Sequence, residues 1–414
     1  MNKEHQVLQD LAKKTMEVAS QDIQNERRKL WTDFNSMKSR KVPVYILDPQ
    51  GIWSELFSDS VLVNTDPLLQ HYERWMMLQL YHASFGDDYI IEPWLTAGPV
   101  YKEDGTRWRS WGYKYNMEYN PKTKAFAIKD PPIKSPEDLK NLVTGVGEID
   151  EEATKARITM LQEIFGDIIP IIPDMTPPKF SDLSHTLYQL LGAEEMMIWM
   201  YDDPDMVHEL CQRISGAAIE ICDAADAAGH FSNCDGTFGN NPTIQAMPYC
   251  HELPAPGEQK TIRMNQRWIY DCAQEFEGIS PEMFNEFIVE YQKPLYERFG
   301  LTAFGCCEGL TKKIPYLKKI KNLRRIAVTP WADDEECAKQ IEDKYVISWR
   351  PNPSEMIVNE FDPDRVKQII KKAKAIYDHY GCYWEINLKD FITVNGDKDR
   401  LRIWTETARE ALEQ

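Results

Sequence analysis

The chain reads as an α/β protein whose strands and helices build a (β/α)8 TIM barrel, preceded by a helical extension and interrupted by an aromatic-rich β insertion. Three observations predict this. From about residue 135 onward, short apolar runs alternate with amphipathic stretches several turns long, and parallel strands joined by crossover helices are the arrangement that such alternation produces. No GxGxxG follows the first strand, which disfavours an open dinucleotide-binding sheet. The apolar runs also end in polar or reactive residues, as strands do when they hand side chains to the C-terminal face of a barrel.

The elements follow in order. Residues 3–40 form a charged amphipathic helix or pair of helices, and the expected division is an extension over 1–40 and a barrel over 41–414. Lys41–Asp48 holds the first apolar strand, residues 66–86 read as helix, and 88–94 as strand. Between about 99 and 134 the chain carries Tyr101, Trp108, Trp111, Tyr113 and Tyr115 among turn residues, the last three at period-two spacing, the pattern of a β-hairpin insertion or lid. Ser135 and Ser280, each followed by Pro-Glu, supply hydroxyls for free first-turn amides and so start helices. Strands are expected at 168–173, 230–235, 301–307, 324–329, 345–348 and 382–387. Helices are expected at 182–200, 204–228, 280–298, 311–320, 333–342, 363–380 and 397–412.

Composition narrows the function. Lys and Arg number 48 against 66 Asp and Glu, a net charge of −18, which argues against nucleic acid or anionic lipid as partner. Nine scattered cysteines without a CxxC pair indicate neither a zinc ribbon nor a disulfide framework. With no apolar leader and no run of 18 apolar residues, a reducing cytoplasmic setting is expected.

The most informative stretch is Leu301–Leu310, where an apolar run ends in Gly305-Cys306-Cys307-Glu308-Gly309. Thiolates beside a carboxylate can hold zinc or poise a nucleophile, although two small buried residues at a strand end would look the same. The other predicted tips offer Asp174, Asp235, Gln274 with Glu275, Trp331, Trp349 with Arg350 and Asn352, and Glu385 with Asn387. Aromatic walls with a few polar groups suit a small, aromatic organic ligand. Asp174, Gln274, Trp331, Trp349, Arg350 and Asn352 are the expected substrate contacts, with Trp349-Arg350 foremost. There is no Ser-His-Asp order, GxSxG, P-loop, HExxH or cobalamin-binding DxHxxG. His379 ends a helix, where capping explains it.

Several of these segments resemble the uroporphyrinogen decarboxylase superfamily. Leu191–Leu210, with Gly192-Ala-Glu194 and Asp202-Asp-Pro-Asp-Met-Val207, is similar to its helix pair, and Ser280-Pro-Glu-Met-Phe-Asn-Glu-Phe287 to its "S-P-E-M-F-x-E-F" helix. Residues 301–309 fall where relatives carry "H-x-C-G", and the resemblance extends over roughly residues 135–395. The decarboxylases' N-terminal "R-Q-A-G-R" is replaced by Asp48–Trp53, so arginines for a multi-carboxylate tetrapyrrole are missing.

The resemblance therefore implies the corrinoid-dependent methyltransferase branch. Relatives that activate thiols use a zinc "H-x-C…C"; here Gly305 takes the His position, Cys307 the Cys position, and Trp349-Arg350 falls where the later Cys would be. Ether-cleaving O-demethylase methyltransferases are described by E-x14-E-x20-H, which Glu194, Glu209 and His230 match. On the helix starting at Pro204, however, Glu209 falls opposite the apolar stripe of Met206, Val207, Leu210, Ile214, Ala218, Ile221 and Ala225. If zinc binds, Cys307 with Cys306 or Glu308 is the expected set.

The expected function is methyl transfer from a methoxylated aromatic, or a similar small methyl donor, to the cobalt of a separate corrinoid protein. Zinc, or else a carboxyl of raised pKa at Glu275 or Asp235, would activate the leaving oxygen. The alternatives are a decarboxylase of a small acid held by Arg350 and a barrel that binds without catalysis. A homodimer is the expected assembly if the chain pairs with itself.

Overall fold

The computed structural model describes residues 2–47, 52–102, 111–113, 117–119, 126–143, 147–177, 182–234, 245–258, 261–358 and 361–413. Its centre is a curled, all-parallel six-stranded sheet. The strands are β1 (Val44–Ile46), β6 (Trp268–Asp271), β7 (Leu301–Phe304), β8 (Leu323–Val328), β9 (Val346–Trp349) and β10 (Tyr383–Leu388), ordered β1-β10-β9-β8-β7-β6. β2 (Leu95–Ala97) and β5 (Ile171–Pro173) pair in parallel, and β3 (Met117–Tyr119) and β4 (Phe126–Ile128) form an antiparallel hairpin. That hairpin lies within the predicted insertion. The first strand meeting the last is the pairing of a closing barrel; the described residues form a six-stranded half-barrel, and the closed eightfold circuit expected from sequence is not shown among them.

At the outer edge of β1, side chains take the place of a paired strand. The Val44 amide donates to Asp88 Oδ2 at 2.8 Å and the Ile46 amide to Asp87 Oδ2 at 2.9 Å, so two buried carboxylates occupy the ladder positions of a neighbouring strand. Residues 88–94 accordingly are not the strand predicted there; the ladder begins at Leu95. The predicted strand at 230–235 is also absent over 230–234. Phe231–Cys234 is buried, but Asn233 donates to Pro254 O and Ala255 O, and the Cys234 amide donates to Ser232 Oγ, so these hydrogen bonds go to side chains and irregular loops.

The helices start where their caps stand. Asp66 accepts from the Leu68 and Leu69 amides to open Pro67–His82, Asp203 from Met206 to open Pro204–Ala228, Ser280 from Met283, and Asp333 from Glu336 to open Asp334–Ile341. Gly192, at φ +74, divides the predicted 182–200 helix into Leu183–Leu191 and Ala193–Asp202. The predicted helix at 311–320 is limited to Ile314–Leu317. No helix among the described residues is long and apolar enough to cross a membrane.

Period two sorts the sheet into two faces. Ile326, Val328, Ile347, Trp349, Ile386 and Leu388 pack into the larger core with the surrounding helices. Tyr45, Tyr270, Leu301, Ala303 and Val346 line the opposite face together with Trp31 and Phe34 of the N-terminal helix Asp22–Asn35. Leu301 and Val346 begin their strands, and Asn35, Trp31 and Phe34 meet Arg324 and Arg325 in the first half of β8, so this helix packs under the N-terminal part of the sheet. Here Arg325 and Glu385, both buried, form an ion pair; Ser348 donates to Glu385 at 2.7 Å, and Arg325 lies 5.8 Å from the Trp31 ring centre.

Glu385→Gln leaves the buried Arg325 charge without its counterion and is expected to lower the unfolding free energy by about 3–5 kcal/mol, while joint replacement by Arg325→Met and Glu385→Leu costs far less. Urea unfolding of the two variants checks this; equal losses would contradict it.

Candidate functional site

With that helix packed under one end of the sheet, the chemistry collects at the other. Inward positions recur every second residue along the last strands: Ser348 then Arg350, and Glu385, Asn387 then Lys389. Arg350 and Lys389 thus arrive just past β9 and β10, both buried. The Arg350 guanidinium donates through Nη1 to the Cys306 carbonyl, and its Nε has no hydrogen-bond partner. The Lys389 ammonium lies 3.0 Å from Cys306 Sγ, 3.8 Å from Cys307 Sγ and 3.1 Å from Asp390 Oδ2. Asp390 is held at φ +61, a costly conformation for a residue with a side chain, and from there accepts from Cys307 Sγ at 3.3 Å.

The two thiols sit 3.5 Å apart on the loop after β7. Hydrogen bonding from Cys272 and from Cys307, backed by the charges of Lys389 and Arg350, outweighs burial and holds the Cys306 thiol well below the ordinary thiol range. Its hydrogen bond to Cys306 and its burial push Cys307 up. The two shifts run in opposite directions, favouring the thiolate at Cys306 and the thiol at Cys307. Burial, with Arg350, pulls Lys389 down, but Cys306, Asp390 and Cys307 outweigh them and the net shift is upward. Buried Tyr270 is also raised, chiefly by burial. Gln245 closes one side, with Nε2 3.6 Å from Cys306 Sγ and Oε1 3.5 Å from Lys389 Nζ.

Gly305 makes this loop. It stands at φ +106, and a Cβ there would meet Leu310 Cδ1 at 2.6 Å and Ala327 Cβ at 2.8 Å. The position that holds histidine in the zinc-binding relatives has no room for a side chain here. Glu308, expected as a zinc ligand, is turned into the protein: its carboxylate accepts the Ala273 and Cys306 amides, each at 2.8 Å. Burial still raises its pKa. Cys306, Cys307 and Glu308 thus do not converge as a ligand set, and an ammonium already faces the thiolate, so these residues do not fit zinc. Among the described residues the only converging acidic or thiol group is Asp182, Asp271 and Cys272. There Asp271 accepts from Tyr296 Oη at 2.6 Å and Asp182 caps the helix Leu183–Leu191.

The other expected contacts disperse. Trp349 is a core residue, edge-on to Trp384 at 6.0 Å and to Tyr377 at 6.5 Å, because strand alternation turns it to the helix side while its neighbour Arg350 faces inward. Asn352 Oδ1 accepts from the Ser354 amide at 3.0 Å, a local turn contact. Gln274 is exposed. Trp331 is 75 % exposed and lines a separate cleft of about 760 Å³ with Glu277, Gly309 and Lys313. Asp174, raised by burial, neighbours Arg267 and Thr176. Asp235 lies outside the described residues.

Glu275 accepts from Ser184 at 2.7 Å and contacts His185 Nδ1 at 2.8 Å. Burial would raise its pKa, but these two partners outweigh it and the shift is downward, so it is a poor proton donor rather than the raised-pKa acid expected. Glu194 and Glu209 are exposed on outer helices, Glu209 pairs with Arg213, and His230 is half-buried. The stripe from Met206 to Ala225 is buried as predicted. Sequence reasoning missed Lys389, Gln245, Cys272 and His185. Only Lys389 carried a signal, the continuation of period two from Glu385 and Asn387.

No family model matches the chain, and no curated protein matches it. Among solved structures it is similar to a methyltransferase from Methanosarcina mazei, with TM-score 0.53 and 13 % identity, covering 92 % of this chain and 97 % of that one. At that identity the likeness is one of fold.

Alkylation of Cys306 by iodoacetamide, followed by peptide mass mapping, is expected to stay fast below the pH at which ordinary thiols slow. Lys389→Met should move the profile to higher pH, since a cation that favours the thiolate is lost. An unchanged profile would remove Lys389 from the account.

Proposed function

We propose that this chain transfers a methyl group from a small methoxylated aromatic, or a similar methyl donor, to the cobalt of a corrinoid carried by a separate protein. The observation that carries the reading is the buried Arg350–Lys389 cation pair at the C-terminal end of the sheet, in a fold similar to that of a methyltransferase. Breaking the oxygen–methyl bond of an aryl ether leaves the electron pair on oxygen, and that oxide departs only if its charge is stabilised. Zinc has no fitting ligand set at the expected residues, and Glu275 is held ionised. The Lys389 ammonium and Arg350 guanidinium are the groups able to take the role. They are fixed and desolvated before substrate arrives, which is what makes such stabilisation effective. The corrinoid is the second substrate and supplies the methyl acceptor; the sequence has no cobalamin signature of its own.

A second reading rests on the free Nε of buried Arg350, which suits a carboxylate and hence decarboxylation of a small acid; carbon dioxide release without corrinoid identifies it. A barrel that has lost its chemistry is disfavoured by the two buried cations, whose desolvation is costly without a ligand to meet.

The purified chain, mixed with a reduced corrinoid protein and a panel of methoxyarenes, is expected to generate the methyl-cobalt absorption band with at least one donor. Lys389→Met should lower kcat by roughly 10²–10³. No band with any donor would refute the proposal.

A further inference from the structure

Seven of the nine cysteines are buried; Cys306 and Cys307 are the two that are partly exposed. They are neighbours in sequence, their sulfurs lie 3.5 Å apart, and their charged surroundings differ, with Lys389 Nζ closer to Cys306 than to Cys307. Cys306 faces the Lys389 ammonium at 3.0 Å, and Cys307 donates to Asp390 at 3.3 Å. A cation beside one thiol and a proton acceptor beside the other is the division of labour that thiol–disulfide exchange needs: one sulfur attacks and the second resolves. The zinc reading of this pair leaves that division unexplained, and the methyl-transfer reading uses only the cations.

We propose that Cys306 and Cys307 form a thiol–disulfide exchange site, in which Cys306 attacks a low-molecular-weight disulfide and Cys307 closes the product into a reversible bridge between the two neighbours. In the first step the Cys306 thiolate forms a bond to one sulfur of the disulfide, the sulfur–sulfur bond breaks, and one half leaves as a thiolate. In the second, Cys307 passes its proton to Asp390 and its sulfur attacks that of Cys306; the second half leaves as a thiolate, which solvent protonates. The protein loses two electrons and the disulfide gains them.

The bridge would be easily reversed. Consecutive Cα atoms are about 3.8 Å apart, closer than the roughly 4.4–6.8 Å that an unstrained disulfide spans, and a strained disulfide is the more readily reduced. Closing it also removes the thiolate that accompanies Lys389. The inference stands independently of which substrate the cations bind.

The reduced full-length chain is treated anaerobically with bis(2-hydroxyethyl) disulfide and followed by intact mass and peptide mapping. The expected product is about 2 Da lighter than the reduced chain, carries no adduct, and holds its bridge between positions 306 and 307. Cys307→Ser should instead retain one half of the reagent on Cys306. Cys306→Ser should react at least about tenfold more slowly, because the remaining thiol is not held as thiolate. A stable adduct on the unaltered chain, a bridge to Cys272 or no reaction would each overturn the proposal. The unaltered chain alone decides the matter if either variant fails to fold.

Discussion

The buried pairing of Arg325 with Glu385 organises the rest of the sheet's inner face. It joins β8 to β10 across β9, lies under the Trp31 and Phe34 rings, and is extended by Ser348. Taking both charges out of water is costly, and such a pair is weak as a source of net stability. Its effect is positional. The Arg325 guanidinium also reaches Asn35, whose amide donates to Met247 O and Tyr249 O, each at 2.8 Å. One polar knot therefore connects the N-terminal helix, three strands and the loop that carries Gln245. With that end closed and compensated, the next charges along the same face are Arg350, which donates to the Cys306 carbonyl, and Lys389, which lies against Cys306 Sγ and Asp390.

That asymmetry is the electrostatic basis of the site. Below, each charge has a fixed opposite. Above, among the described residues, two cations share the Cys306 sulfur and the exposed carboxylate of Asp390, an arrangement in which an arriving anion would gain stabilisation. In the resemblance that suggested zinc, a Lewis acid would withdraw charge from the leaving oxygen. In the proposed reaction a buried ammonium and guanidinium would supply that stabilisation in place of a metal, and Gly305, with no space for a histidine, is consistent with it. The vicinal thiols then carry a second chemistry of their own, because the cation beside them also sets which sulfur is nucleophilic.

Several elements were legible because their causes are local. Ser280 caps its helix through the Met283 amide as its local sequence predicts, and the apolar stripe from Met206 to Ala225 follows from helical spacing alone. Arg350 was recognisable as a polar residue at a strand end. Trp349 was misplaced because being next to Arg350 in sequence puts it on the opposite face of a strand. The strand expected at 88–94 failed for a different reason: Asp87 and Asp88 spend their carboxylates on the amides of β1, a contact across more than 40 residues that no local pattern encodes.

The sequence by itself determined a parallel α/β architecture, the Ser280 cap, the inward alternation along the last strands, and a reactive double cysteine at a strand tip, since each depends on residues within a few positions of one another. Only the tertiary structure decided how far the sheet closes, that Glu308 faces backbone amides, and that Lys389 lies against Cys306 from 83 residues away. Charge stabilisation falls steeply with distance in a partly desolvated site, so the identity of the nearest ion governs whether that double cysteine is a metal site or a thiolate held by a cation, and that neighbour is set by folding.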